Sequence, residues 1–236
     1  NSNLDPNGIG GGLSLDALGG TLEMIGNVFS GNQNSGMGGG AFVFLETDIT
    51  VANIVQNLFV NNQAGLTEGS GGGLSLSANI GANLINNTFY NNIAAEGGGM
   101  TYYAEAPAHV ALLYNEIYRG NTPNAISVFA PGPVQATYSN IEGGTGETYF
   151  GTGCIDSNPF FFNSENPPGT DGVYGTLDDG LHLTAGSPSM NTGSNAAVPA
   201  ILTTDIAGQT RIQGGTVDMG AYEGPAGPLI DLDIKA

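Results

Sequence analysis

The chain has 236 residues, one cysteine, 3 Lys+Arg and 21 Asp+Glu, giving a formal charge of −18. Three cations cannot neutralise a phosphate backbone, so nucleic acid is excluded as a partner, and the same deficit disfavours an anionic membrane surface. No run of apolar residues is long enough to cross a bilayer, so no membrane insertion is expected, and a lone cysteine leaves stability to packing and backbone hydrogen bonds.

Glycine is 40 of 236 residues, yet 40% of the chain is hydrophobic, which argues for an ordered fold rather than disorder. There is no Gly-X-Y period, so collagen is excluded. The order comes from internal repeats. Gly10-Gly11-Gly12-Leu13, Gly38-Gly39-Gly40-Ala41, Gly71-Gly72-Gly73-Leu74 and Gly97-Gly98-Gly99-Met100 are four copies of one motif. Out of phase with it run Asn27-Val28-Phe29, Asn57-Leu58-Phe59, Asn87-Thr88-Phe89 and Asn115-Glu116-Ile117, with Ser139-Asn140-Ile141 as a degenerate fifth. A further Asn follows each time, at Asn32, Asn62, Asn92 and Asn121.

The segments between these motifs read as short strands: Leu74-Ser75-Leu76 alternates, and the Ile54–Phe59 and Leu84–Phe89 runs have strand length and composition. No helical period is present. Units of 26–33 residues made of strands and turns are shorter than the ~40 residues of a propeller blade. The fold class that follows is all-β: a right-handed parallel β-helix, or solenoid, of about five coils. Stacked coils repeat at ~4.8 Å. Phe29, Phe59, Phe89, Ile117 and Ile141 are then expected in one inward column, and Asn27, Asn57, Asn87 and Asn115 in an Asn ladder. Glycines supply the sharp turns.

In chain order, residues 1–150 are expected to form the coils, the first eight a partial one, 151–223 a C-terminal capping region and 224–236 a tail strand. The chain starts without Met and without a signal peptide, as a processed form or a fragment of a longer parent chain would. Leu229, Ile230, Leu232 and Ile234 of the tail alternate in part with acids. Such a strand either folds back on the cap or adds to a neighbour's open edge. An uncovered first coil together with that strand makes a head-to-tail contact, hence a homo-oligomer or filament.

The Asn-x-Phe, Asn-Asn and Gly-Gly-Gly-Leu pattern resembles the right-handed β-helix repeats of bacterial surface proteins, including those similar to polymorphic outer-membrane proteins. Gly186-Ser187-Pro188-Ser189-Met190-Asn191-Thr192-Gly193 and Val217-Asp218-Met219-Gly220-Ala221-Tyr222-Glu223 resemble the choice-of-anchor Q terminal domain, though Ser189, Met190 and Asn191 stand where that family usually has Ala, Ile and Asp. The resemblance implies an extracellular or bacterial cell-surface location. It implies no reaction.

Three places carry candidate chemistry. Asp171, Asp178 and Asp179 sit among glycines and are the candidate ligands for calcium, the one cofactor suggested; the alternative is an Asx-turn loop whose carboxylates cap amides. Arg211 is expected to lock the cap by pairing with Asp205 or Asp218. Tyr102, Tyr103, Tyr114 and Tyr118 cluster in the fourth coil, as a sugar-stacking patch or as stacking between coils. Polysaccharide cleavage would need a base or a carboxylate pair. The available groups are Arg119, Arg211, Lys235, His109, His182 and the Asp178-Asp179 pair, in a field that repels polyuronates. His109 reads as a turn or surface residue, His182 as an outward strand residue and Cys154 as an inert thiol. The Asn86-Asn87-Thr88 sequon falls in the ladder region, where it would be inaccessible. No regular Thr-x-Thr face supports ice binding. The sequence thus points to a secreted, non-enzymatic structural or surface β-helix that self-assembles. The alternative is an extracellular carbohydrate-binding or polysaccharide-cleaving passenger domain, which a groove lined by Tyr103, Arg119 and acids would favour.

Overall fold

Each repeat turns three corners, and the residues at those corners decide where strands begin. Residues 2–3, 8–129 and 131–224 are described by the computed structural model of the protein. The corner before each Asn-x-aromatic strand needs a left-handed residue. It is filled in register by Gly26, Gln56 (φ 56°), Asn86 (φ 57°), Asn115 (φ 56°) and Tyr138 (φ 50°); Asn is among the few non-glycine residues that tolerate this region. At another corner Gly71 has φ 68°, and a Cβ on Gly72 would lie 2.4 Å from the carbonyl oxygen of Gly98 in the next coil. The triplet is thus required by both conformation and close approach.

Among the described residues, the strands between corners form three five-stranded parallel sheets, each ordered by coil. The first contains Leu13–Ala17, Ala41–Leu45, Leu74–Ala78, Met100–Ala104 and Ile126–Phe129. The second contains Gly20–Ile25, Ile49–Val55, Ala82–Ile85, Ala111–Tyr114 and Val134–Thr137, and the third Val28–Ser30, Leu58–Val60, Thr88–Tyr90, Ile117–Arg119 and Asn140–Ile141. Ser2–Asn3 pairs with Gln33–Asn34 as a separate two-stranded sheet. The molecule is an all-β parallel solenoid of about four turns. Among the described residues no helix is long and apolar enough to cross a membrane.

The core is a set of columns along the axis. Phe29, Phe59, Phe89 and Tyr118 stack with centroids 4.9, 4.5 and 4.3 Å apart and rings within 11° of parallel, and Ile141 pairs above Tyr118. Ile117 is not in this column. It points outward, because the fourth repeat is Asn115-Glu116-Ile117-Tyr118 and its register runs one residue later than the Asn-x-aromatic spacing suggests. The ladder moves with it. Asn27 Nδ2 donates to Asn57 Oδ1, Asn57 to Asn87 and Asn87 to Glu116 Oε1, each at 2.9 Å. Asn115 takes the corner instead. A second ladder runs through Asn32, Asn62, Asn92 and Asn121, with bonds of 3.0, 2.9 and 2.9 Å.

The region after residue 150 does two jobs rather than one. Phe150 bridges to Ala136 and Ile155 to Asn140, and Tyr149, Phe150 and Cys154 pack on the main core, closing the upper end of the second and third sheets. Residues 156–224 do not cap the end. They run back over the outer face of the third sheet, whose outward residues Leu58, Val60 and Ile117 are apolar and pack against Leu181, Leu183, Met219, Ala221 and Tyr222. The tail residues Leu229, Ile230, Leu232 and Ile234 lie outside the described residues.

Candidate functional site

The densest chemistry lies where this C-terminal wrap meets the left-handed corner column. Corner side chains at such positions point away from the core, so Gln56, Asn86 and Asn115 become anchors. Asn86 Nδ2 donates to the carbonyls of Asp218 (2.9 Å) and Gly220 (3.0 Å). Asn115 Oδ1 accepts Ser194 N–H at 2.7 Å, and Gln56 Oε1 accepts Arg211 Nη1 at 3.4 Å. Asn86, the sequon acceptor, is fully buried and consumed by these bonds.

Arg211 is the hub. It is 1% exposed, and its partner is neither Asp205 nor Asp218 but Glu223, with Nη2 2.6 Å from Oε2. Nη1 also donates to the carbonyls of Gly220 and Ala221, and Nη2 to that of Tyr222. The two aspartates are spent on amides: Asp205 accepts Gln209 and Glu223 N–H, and Asp218 accepts Asn191 and Gly224 N–H. Burial pushes Asp205, Asp218 and Glu223 above the ordinary carboxyl range, while amide donors and Arg211 pull them back. Sequence reasoning named Glu223 within a motif and missed its pairing. Three acids near one arginine were indistinguishable until the chain path fixed which one faces the guanidinium.

The acidic loop is built on amide capping. Asp178, half-buried, accepts Thr170 N–H and hydroxyl at 2.6 Å each and the Thr176 hydroxyl at 2.8 Å; these donors hold its carboxyl well below the usual range. Asp171 accepts Val173 N–H at 2.7 Å. Asp179 is buried, accepts Gly175 N–H at 2.7 Å and takes a short bond from the Tyr222 hydroxyl. Among the described residues no three His, Cys, Asp or Glu side chains are grouped to hold a metal ion.

His182 is not outward. It is 2% exposed, its ring 4.3 Å from that of Tyr222 and its Nε2 3.0 Å from the Thr176 carbonyl. His109 is half-buried in the turn before the second sheet. Arg119 sits on the third sheet, 3.3 Å from Glu142, so it and Tyr103 of the first sheet do not share a groove. Cys154 is half-buried, and burial raises its thiol. Of the tyrosines, Tyr118 stacks in the core and Tyr102 is buried, whereas Tyr103 is 46% exposed.

Compared with known proteins, the chain matches no family model, no curated protein and no solved structure. The fold and the geometry above define its class, a parallel β-solenoid with a lateral C-terminal wrap.

Proposed function

We propose that the protein is a non-enzymatic structural β-solenoid of an extracellular or bacterial-surface setting, a subunit that extends end to end by stacking a further rung on its first sheet. One observation carries the reading. The inward column Leu15, Val43, Leu76, Tyr102 and Val128 is in register through the five strands of the first sheet. Val43, Leu76 and Tyr102 are sealed at 1% exposure or less, yet Val128 is 38% exposed and Leu15 only half-buried. Among the described residues, neither Leu13–Ala17 nor Ile126–Phe129 has a strand on its outer edge. Edges that otherwise invite unspecific pairing would pair with one another in this reading. Joining one to the other is a heterologous contact that propagates.

The polar groups support the structural role: Arg211, Asp179, Asp205, Asp218 and Glu223 are all engaged in holding the wrap. The likeness of the repeats to polymorphic outer-membrane-protein coils, and of the terminal motifs to the choice-of-anchor Q domain, supports the surface setting. A longer parent chain is the other source of an added rung.

Sedimentation velocity and negative-stain microscopy at rising concentration test this. Linear, concentration-dependent assemblies are expected. Leu15→Lys and Val128→Lys should each abolish them, because an ammonium would enter an apolar column. A wild-type chain that stays monomeric throughout, or assemblies indifferent to both substitutions, would overturn the reading.

A further inference from the structure

The outer face of the first sheet carries two columns of side chains. The register stacks Ser14, Phe42, Ser75, Thr101 and Ser127 in one, and Asp16, Phe44, Ser77, Tyr103 and Phe129 in the other. At the third coil both columns drop to serine, while the coils on either side present aromatic rings. The result is a groove of about 500 Å³ between Phe42 on one side and Tyr103 with Phe129 on the other. Ser75 and Ser77 form its floor and Glu68 and Glu96 lie at its rim. Its rings are available, Tyr103 at 46% and Phe129 at 41% exposure. Glu96 is steadied by the Ser127 hydroxyl at 3.3 Å.

We infer that this groove binds a neutral pyranose glycan, one sugar ring taking the place of the aromatic ring missing from the third coil. Phe42 and Tyr103 stand in different columns, two rungs apart along the axis and two residues apart along the strands, roughly 12 Å between backbone positions, so the groove runs diagonally over Ser75 and Ser77. Rings one rung apart in the core are in stacking contact at 4.5 and 4.9 Å, and the wider diagonal gap between these walls leaves room for one sugar ring lying across the serines. A chair-form sugar offers C–H faces to the aromatic walls and equatorial hydroxyls to the serine floor and the carboxylates. This is the combination of apolar walls and few polar groups that ligand sites use. The two rim carboxylates and the net charge of −18 repel polyanionic sugars. The groove faces sideways, away from the axis along which assembly extends, although its Phe129 wall belongs to the terminal strand Ile126–Phe129.

The full chain is titrated by isothermal calorimetry with a panel of neutral gluco-, manno-, galacto- and xylo-oligosaccharides, and with oligogalacturonate as the acidic control. At least one neutral oligosaccharide should bind, with oligogalacturonate much weaker. Tyr103→Ala should weaken binding about tenfold, the size of one lost ring contact, without moving the melting temperature. Ser77→Phe, which completes the aromatic column, should abolish binding and leave the chain folded. The inference is overturned if no neutral oligosaccharide binds, if the acidic control binds as tightly, or if Ser77→Phe binds like wild type. Sedimentation of the same samples reads the assembly proposal separately.

Discussion

The coils and the wrap use opposite strategies to hold a chain together. In the coils a few contacts recur about 30 residues apart: a ring on a ring, an amide on an amide, a left-handed corner on a left-handed corner. Stability there is a sum of near-identical nearest-neighbour terms. The wrap has no period. Among its described residues the regular structure is one short 3-10 turn at Asn195–Ala197 and the bridges Phe161–Leu183 and Thr204–Thr210. Carboxylates capping amides and one buried ion pair do the rest. The coils therefore distribute risk, and the wrap concentrates it on Arg211.

That contrast can be broken first at its weakest point. Arg211→Met leaves Glu223, Asp205 and Asp218 buried without a cation, which costs about 3–5 kcal/mol. Limited proteolysis should then cut within 156–224 while the β signal of the coils persists in circular dichroism. A variant as resistant as wild type would show that the wrap does not depend on this hub. Asn87→Ala acts on the other side of the comparison. It strips the acceptor from both Asn57 N–H and Asn57 Nδ2, and two buried orphan donors cost about 2–3 kcal/mol. The loss should appear in urea unfolding of the coils. Asn115→Gly is the smaller counterpart. Glycine keeps the left-handed corner, so the coils lose only the 3.3 Å contact to Asn86 Oδ1 and should be little affected, while the lost bonds to Ser194 N–H and C=O loosen the wrap by about 1–2 kcal/mol. Equal effects of the Asn87 and Asn115 substitutions on the coils would mean that both belong to the ladder after all.

The same contrast decides what could be read from the sequence. The coils were legible because a residue in a column meets its own equivalents, so repetition in sequence is repetition in space. Asn27, Asn57 and Asn87, with their phenylalanines, could be placed from spacing alone. The misreading of Asn115 came from identity overriding position. The repeat reads Asn86-Asn87-Thr88-Phe89, and in the next coil the ladder residue became Glu116 and the ring became Tyr118, leaving Asn115 as the surviving asparagine at the corner. The signal that could have caught this was the aromatic at Tyr118, one place beyond Ile117. The wrap stayed opaque because its partners are distant. Nothing near Arg211 in sequence separates Glu223 from Asp218, and nothing around His182 shows that the Tyr222 ring will cover it. The outward apolar residues Leu58, Val60 and Ile117 were the trace of the wrap: a solvent-facing edge would not carry them.

Glu116 is where the ladder breaks its own rule, and it sets the last test. Its Oε1 accepts both Asn87 donors, like the asparagines below it, but its Oε2 is buried without a partner. Burial raises the carboxyl well above its ordinary value, against the pull of the Asn87 bonds. A raised folded-state value means that this group's contribution is complete below the unfolded-state value and is lost as pH rises through the folded one. Glu116→Gln keeps the acceptor and removes the titration. The two proteins should therefore melt alike in acid and diverge as pH increases, with the variant the more stable. The chain's large negative charge adds its own pH slope, but both proteins share that background repulsion, so the difference between their melting curves isolates the one rung. Parallel curves across the range would mean that Glu116 is solvated or paired in the folded chain, and that this ladder tolerates an ionised member.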